Sequence, residues 1–147
     1  APGQAPPFPP LWDRVHQGLL RSQKIWICAL ERYAINGAAS LAIAADWLVC
    51  GEGAFLQIGE IQLGMAAPRN LQWLAQRHTE AVAARLCLLG DRVPAPELFR
   101  LGIATEVVPD EQVLARSRQL AGAIAQYPAH GVVAVKSGLR AAFTRSA

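Results

Sequence analysis

The sequence predicts an α/β fold, and three observations point to it. Short apolar runs bounded by turn residues, "KIWICALE", "WLVCG" and "AFLQIG", read as buried strands. A helix of small residues opens near Gly37, between the first two of these runs, which gives a β-α-β rhythm. From Pro68 onward the apolar spacing becomes helical, broken by one further strand, "IATEVVP".

Each element follows from its own pattern. "LWDRVHQGLL" places Leu11, Val15, Leu19 and Leu20 at helical spacing, weakened but not forbidden by Gly18. Before it, "APGQAPPFPP" reads as an extended lead-in over residues 1–10. Gly51 to Gly53 form the turn between "WLVCG" and "AFLQIG". "LQWLAQRH", "TEAVAARLCLLG" and "APELFRLG" then read as helices, the last with Pro96 in its first turn and Gly102 past its end. Asp110 is the expected cap of an amphipathic helix with a stripe of Val113, Leu114, Leu120, Ile124 and Tyr127, and "GVVAVKSGLRAAF" makes a terminal helix. The division is therefore a core over 11–109 and a carboxy-terminal helical region over 110–147.

Composition excludes several classes. The chain has 147 residues, 52% of them hydrophobic, and no apolar run long enough to span a bilayer, so one soluble domain without a membrane partner is expected. The first residues lack the basic and apolar regions of a signal peptide. Cys28, Cys50 and Cys87 are odd in number, lie in apolar surroundings and have no CxxC spacing, which predicts reduced thiols, a cytoplasmic location and no metal. A net charge of +3 with scattered arginines reads as solvated helix faces, so no nucleic-acid partner is expected.

The run "INGAASLAIAAD", Ile35 to Asp46, has almost no side chains at the mouth of its helix. Small residues there either permit close packing or let a ligand oxygen approach unpaired backbone N–H groups at the positive end of the helix. Composition leaves both readings open.

The order of the pieces resembles the crotonase superfamily, also called the enoyl-CoA hydratase/isomerase family. "KIWICALERYAINGAASLAIAAD" is similar, without a gap from Lys24 to Asp46, to that family's "KPVIAAVNGxAxGGGxELAxxxD". "FLQIGEIQLGMAAP" is similar to "FxxPExxLGxxP", with Glu60 at the acidic position, Gly64 four residues on and Pro68 one residue out of register. "LLGDRVPAPELFRLGIATEVVP" is similar to "LTGxxxxAxEAxxxGLVxxVVP", and the final helix with Lys136 also fits. The likeness runs from Leu11 onward and corresponds to the second part of a family domain, after the "AGxDL"-like loop that gives one of two oxyanion N–H groups. It implies a crotonase-like β-β-α spiral core followed by a helical trimerisation region.

The resemblance assigns roles. Gly37 falls on the glycine whose N–H holds the thioester oxygen of an acyl-CoA while enolate charge develops, and Ala38 and Ala39 are small but depart from the family's further glycines. Ser40 stands where the family's hydratases carry one of two glutamates; it is no carboxylate base, and bonding backbone groups in the first helical turn is its ordinary use. Glu60 is then the single acid/base, with a turn residue between apolar strands as the bland alternative. Ala38, Ser40 and Gly64 are expected to line the substrate. Lys136 and Arg140, four apart on one helical face, either meet CoA phosphates or are solvated cations. Arg32 either pairs with Glu31 on the surface or reaches an anionic group of the ligand. His16, His78 and His130 read as helix-end histidines bonded to solvent or backbone, and Trp12 and Trp73 as core or interface aromatics.

The implied activity is that of a crotonase-family enzyme acting on an acyl-CoA thioester, of the enoyl-CoA isomerase/hydratase type. The alternatives are a catalytically degraded acyl-CoA-binding or partner subunit, and a decarboxylase or thioester hydrolase on the same fold. No cofactor is expected beyond coenzyme A as part of the substrate, and a homotrimer or hexamer is the implied assembly.

Overall fold

The computed structural model describes residues 8–143, with the side chain of Phe8 outside the description. Helix α1 spans Phe8–Arg21, so Phe8, Pro9 and Pro10 of the expected lead-in belong to its first turn, where proline is tolerated because the N–H groups have no helical partner. The rest of that lead-in lies outside the described residues.

Strand β1 (Ile27–Leu30) leads through Glu31 and Arg32 into β2 (Tyr33–Ile35), followed by helix α2 (Gly37–Ala44), β3 (Trp47–Gly51) and β4 (Phe55–Gln57). Strand β1 pairs in parallel with β3, Leu30 opposite Cys50, and β2 pairs in parallel with β4, Ala34 opposite Leu56. Each passage of the chain thus gives one strand to each of two sheets, with α2 crossing back between passages. That is the construction of a β-β-α spiral.

A 3-10 turn at Glu60–Leu63 then precedes α3 (Pro68–Arg77) and α4 (Glu80–Leu89), the latter capped by Thr79, whose hydroxyl accepts from the Val82 N–H at 3.3 Å. Strand β5 (Arg92–Pro94) joins β4 antiparallel, α5 covers Ala95–Arg100, and β6 (Glu106–Val108) joins β3 in parallel. The sheets are therefore ordered β1-β3-β6 and β2-β4-β5. After a 3-10 turn at Asp110–Gln112 come α6 (Val113–Ala125) and α7 (Ala129–Phe143), and α6 packs on β1 and β3.

The core lies where α2 meets both sheets and α3. Ala39, Ala42, Ile43 and Ala44 of α2 are buried with Leu30, Leu48, Leu56, Ile58, Trp73 and Leu74. Small residues let α2 sit close to its neighbours, so the packing reading of "INGAASLAIAAD" describes most of this helix.

Three local expectations need correction. Asp110 does not cap α6; its carboxylate accepts the Gly53 N–H at 2.9 Å and fastens the turn between β3 and β4. Leu114 and Tyr127 are exposed, Tyr127 because α6 ends at Ala125 before the stripe returns to the inward face. Strands β2 and β5 replace expected non-strand stretches, each only three residues long and held by its pairing with β4.

Candidate active site

The mouth of α2 is built by Asn36, which precedes the helix with φ +56°. With ψ −111° it lies outside the left-handed helical well, in a conformation that glycine adopts most easily, and the resembling motif carries glycine at this position. Asn36 is also fastened on both sides. Its N–H donates to Gln57 O at 2.8 Å, and its Oδ1 accepts the Gly59 N–H at 2.8 Å. The Ser40 N–H closes the first helical turn on Asn36 O at 3.2 Å.

Gly37 does not open onto empty space. The indole of Trp12 lies against it, 3.4 Å from where a Cβ would stand. That ring meets His16 edge-on, with centroids 4.6 Å apart. Helix α1 therefore roofs the mouth.

Beneath that roof runs a buried chain of hydrogen bonds. Trp73 Nε1–H donates to His16 Nδ1 at 2.8 Å, His16 Nε2 faces Ser40 Oγ at 3.4 Å, and Ser40 Oγ–H donates to Gly37 O at 2.6 Å. Because Nδ1 accepts, the imidazole proton sits on Nε2, and every donor in the chain points the same way. Burial, reinforced by Arg69, holds the His16 pKa below its ordinary value, against a smaller opposing effect of Asp13. Arg69 itself is paired with Asp13. Neutral His16 is the form this chain requires.

Ser40 is fully buried and its hydroxyl is committed, so its expected contact with substrate is not available, whereas its backbone bond is the one expected of a first-turn serine. His16 is also corrected: it is a core residue with two side-chain partners, on the inward face of α1 with Trp12, Leu19 and Leu20. Trp73 is a core aromatic, fully buried.

Glu60 begins the 3-10 turn, and its carboxylate points inward. Its Oε1 accepts Asn70 Nδ2–H at 3.3 Å, while its Oε2 is buried and has no hydrogen-bond partner among the described residues. The same Asn70 Nδ2 donates to Asn36 O at 3.1 Å. One amide group thus joins the expected acid/base to the peptide carbonyl at the mouth of α2. Asn70 is 1% exposed and shares a buried face of α3 with Trp73 and Leu74, spaced i, i+3, i+4. An asparagine on an apolar helical face is the sequence signal that would have singled it out.

The remaining expected site residues lie elsewhere. Ala38 is exposed beside the mouth. Gly64 ends the 3-10 turn with φ +70°, its N–H donating to Ile61 O at 2.9 Å, so its glycine is explained by conformation. Lys136 is 3% exposed; its ammonium pairs with Asp46 at 3.0 Å and donates to Lys24 O, so it neither reaches for a phosphate nor is solvated. Arg140 lies 3.7 Å from Asp46 and over the Trp73 ring. Both border a cavity of about 390 Å³ with Arg77 and His78, beside Asp46, past the carboxy-terminal end of α2. Glu31 and Arg32 are exposed and form no ion pair with each other among the described residues.

Cys28, Cys50 and Cys87 are unpaired thiols, and burial pushes Cys28 up to about 11 and Cys50 to about 12, so neither supplies a nucleophile near neutral pH. Among the described residues, no helix is long and apolar enough to cross a membrane.

Comparison with known proteins gives a consistent answer. A family model described as enoyl-CoA hydratase/isomerase matches residues 5–147. Carnitinyl-CoA dehydratase of Proteus mirabilis is 34% identical over 116 residues, covering 78% of this chain and 44% of that protein. Among solved structures, ThnE from S. clavuligerus superposes with a TM-score of 0.83 at 25% identity, over 90% of this chain and 63% of its own. A monofunctional enoyl CoA isomerase from M. smegmatis superposes with a TM-score of 0.77 at 26% identity, over 88% of this chain and 63% of its own. The chain spans about half the length of the curated relatives it matches.

Proposed function

The chain belongs to the enoyl-CoA hydratase/isomerase family, and from that membership we propose that its protein acts on an acyl-CoA thioester through an enolate, with Glu60 as the single acid/base. The α/β spiral is the crotonase fold. The observation that carries the reading is the link from Glu60 through Asn70 to Asn36, which ties a carboxylate to the mouth of α2.

In this reading the Gly37 N–H takes the thioester oxygen. A donor aimed at developing enolate charge contributes about 3 to 4 kcal/mol to the transition state. Glu60 removes a proton from C2 of a 3-enoyl-CoA; the electron pair moves through C3 as the double bond shifts to C2–C3. The same carboxylic acid then returns the proton to C4. One group used twice completes the reaction, whereas water addition divides acid and base roles between two groups. Ser40, bound into the His16 and Trp73 chain, offers no second carboxylate, so isomerisation suits the site better than hydration. Similarity to an isomerase supports this choice, and similarity to a dehydratase names the competing one. Coenzyme A enters as part of the substrate, without another cofactor.

A second reading, binding of acyl-CoA without turnover, is favoured by the Trp12 ring seated against Gly37. The test separates the two. The full-length protein is assayed on 3-enoyl-CoA and 2-enoyl-CoA, with binding followed by calorimetry. Conversion of the 3-enoyl substrate, abolished by Glu60→Gln with binding retained, supports isomerisation. Faster hydration of the 2-enoyl substrate overturns the single-carboxylate mechanism, and binding without either turnover selects the second reading.

The same proposal extends to assembly. Leu120, Ile124 and Val133 are half-buried and Val135 is exposed on α6 and α7, apolar surface that a homotrimer would cover.

A further inference from the structure

Asn70 holds two things at once. Its Nδ2 donates to Glu60 Oε1 at 3.3 Å and to Asn36 O at 3.1 Å. Both partners are acceptors, so the nitrogen end of the amide must face them; the reversed amide would set Oδ1 against two oxygens. This orientation leaves Asn70 Oδ1 buried without a donor among the described residues, as Glu60 Oε2 is. A side chain buried to 1% exposure keeps that arrangement only if the two bonds it makes outweigh the oxygen it strands.

The carbonyl it grips carries the consequence. Asn36 C=O and Gly37 N–H belong to one planar peptide unit, so fixing the oxygen fixes the direction of the N–H on the far side of the same bond. The peptide is otherwise under strain, because Asn36 has φ +56° and ψ −111°, outside the left-handed helical well. Such a peptide holds its orientation only while its surroundings determine it. Asn70 supplies that restraint from α3, together with the Ser40 N–H from within α2.

The carboxylate gains in the same way. The terminal torsion of glutamate is broad, so an unrestrained Glu60 samples many carboxylate orientations. With Oε1 held, Oε2 is the oxygen left with free lone pairs.

We propose that Asn70 is the positioning residue of this site, setting the plane of the Asn36–Gly37 peptide and the rotation of the Glu60 carboxylate with a single amide group. It rests on the reading of Gly37 and Glu60 given above, as donor to the thioester oxygen and as proton carrier. Asn70 does not touch the reacting atoms; it aligns the two groups that do. Through it, a displacement at one is felt at the other.

The experiment has two parts on the full-length protein. In kinetics on 3-enoyl-CoA, Asn70→Leu lowers kcat about 100-fold while KM changes less than about 3-fold, since misplacement by an ångström carries a penalty of that order. Asn70→Asp, which keeps the size but sets an acceptor against two acceptors, gives the same split. A rise in KM at unchanged kcat overturns the proposal. In NMR, Glu60→Gln shifts the Asn70 side-chain amide pair, and Asn70→Leu or Asn70→Asp shifts the Gly37 backbone amide. If neither resonance responds, the coupling does not exist. The NMR arm needs no turnover and no fully folded Asn70 variant, because Glu60→Gln alone reports on Asn70. Absence of activity in the wild type with both resonances coupled would defeat the proposed reaction and leave the positioning role standing.

Discussion

Trp73 donates its indole N–H to Nδ1 of His16 across 2.8 Å, and that bond decides which nitrogen of the imidazole faces Ser40. A protonated His16 would carry a hydrogen on Nδ1 and oppose the indole donor, so α1, α2 and α3 are joined through a histidine that must stay neutral.

Trp73→Phe removes the donor and leaves a buried acceptor unpaired beside a small cavity. A loss of about 2 to 4 kcal/mol is expected in urea unfolding. Nitrogen-15 NMR of the wild type is expected to show the Nε2-protonated tautomer of His16, and an Nδ1-protonated ring would refute the donor order.

Stability should rise with pH through the histidine range. The folded-state pKa values of His16 and His78 lie below the ordinary 6.5, each chiefly by burial, with neighbouring Arg69 and Arg77 acting in the same direction. The unfolded chain therefore binds these protons first, and the stability they support, complete above about pH 6.5, is lost as pH falls from there through the folded values. Urea midpoints measured from pH 7.5 to 5 should decline, and His78→Gln should flatten part of the slope. A midpoint independent of pH would contradict both shifts.

Asp46 is the anchor for Lys136, whose side chain is 4% exposed. Asp46→Asn strips a buried ammonium of its countercharge and is expected to destabilise by about 3 to 5 kcal/mol. Lys136→Met should cost less, about 1 to 3 kcal/mol, because Arg77 and Arg140 still face Asp46 at 3.5 and 3.7 Å. Acyl-CoA affinity by calorimetry should be unchanged in Lys136→Met; a marked loss would return the lysine to a ligand-binding role.

Two glycine substitutions should act in opposite directions. At Gly51 a Cβ would stand 2.6 Å from Asp110 Oδ1 and 3.2 Å from Glu31 O, and Asp110 cannot retreat without releasing Gly53. Gly51→Ala is expected to destabilise by about 1 to 3 kcal/mol. Gly122 lies inside α6 with nothing within 4 Å of a Cβ, so Gly122→Ala should stabilise by about 0.5 to 1 kcal/mol. Thermal unfolding of both variants reads the contrast.

Sedimentation of the full-length protein at micromolar concentration is expected to show a trimer or hexamer. Val135, 63% exposed, is a position where Val135→Glu should weaken assembly with little effect on the fold of one subunit. A monomer in the wild type would remove the assembly from the proposal.

The strands and helices legible in the sequence are those marked by an unbroken apolar run, by helical spacing or by a recognisable opening residue. "WLVCG" corresponds residue for residue to β3, and the helix openings at Gly37, at Thr79 and around Pro96 carry recognisable residues. Strands β2 and β5 were not legible, because neither stretch is an apolar run bounded by turn residues, as the equally short β4 and β6 are, and each is held by its pairing with β4. The site shows the same division. Glu60 and Gly37 sit in local motifs, whereas His16, Asn36 and Asn70 take their places through contacts spanning 10 to 57 residues, a separation no local pattern encodes. Lys136 misled for a related reason: helical spacing placed it beside Arg140 but did not reveal Asp46, 90 residues away, waiting for its charge.

At its carboxy-terminal end, α2 is sealed electrically. Arg77 donates to Ile43 O and Ala44 O at 3.0 Å each and also to Ala45 O, with Lys136 and Arg140 close by at Asp46. The last carbonyls of this eight-residue helix are thus met by a cation at the negative end of its dipole, with the Asp46 carboxylate holding the neighbouring cations in place. Because such dipole effects fall off within the last turn, Arg77 steadies the closing end of α2 and leaves the groups around Gly37 to be set by their own contacts.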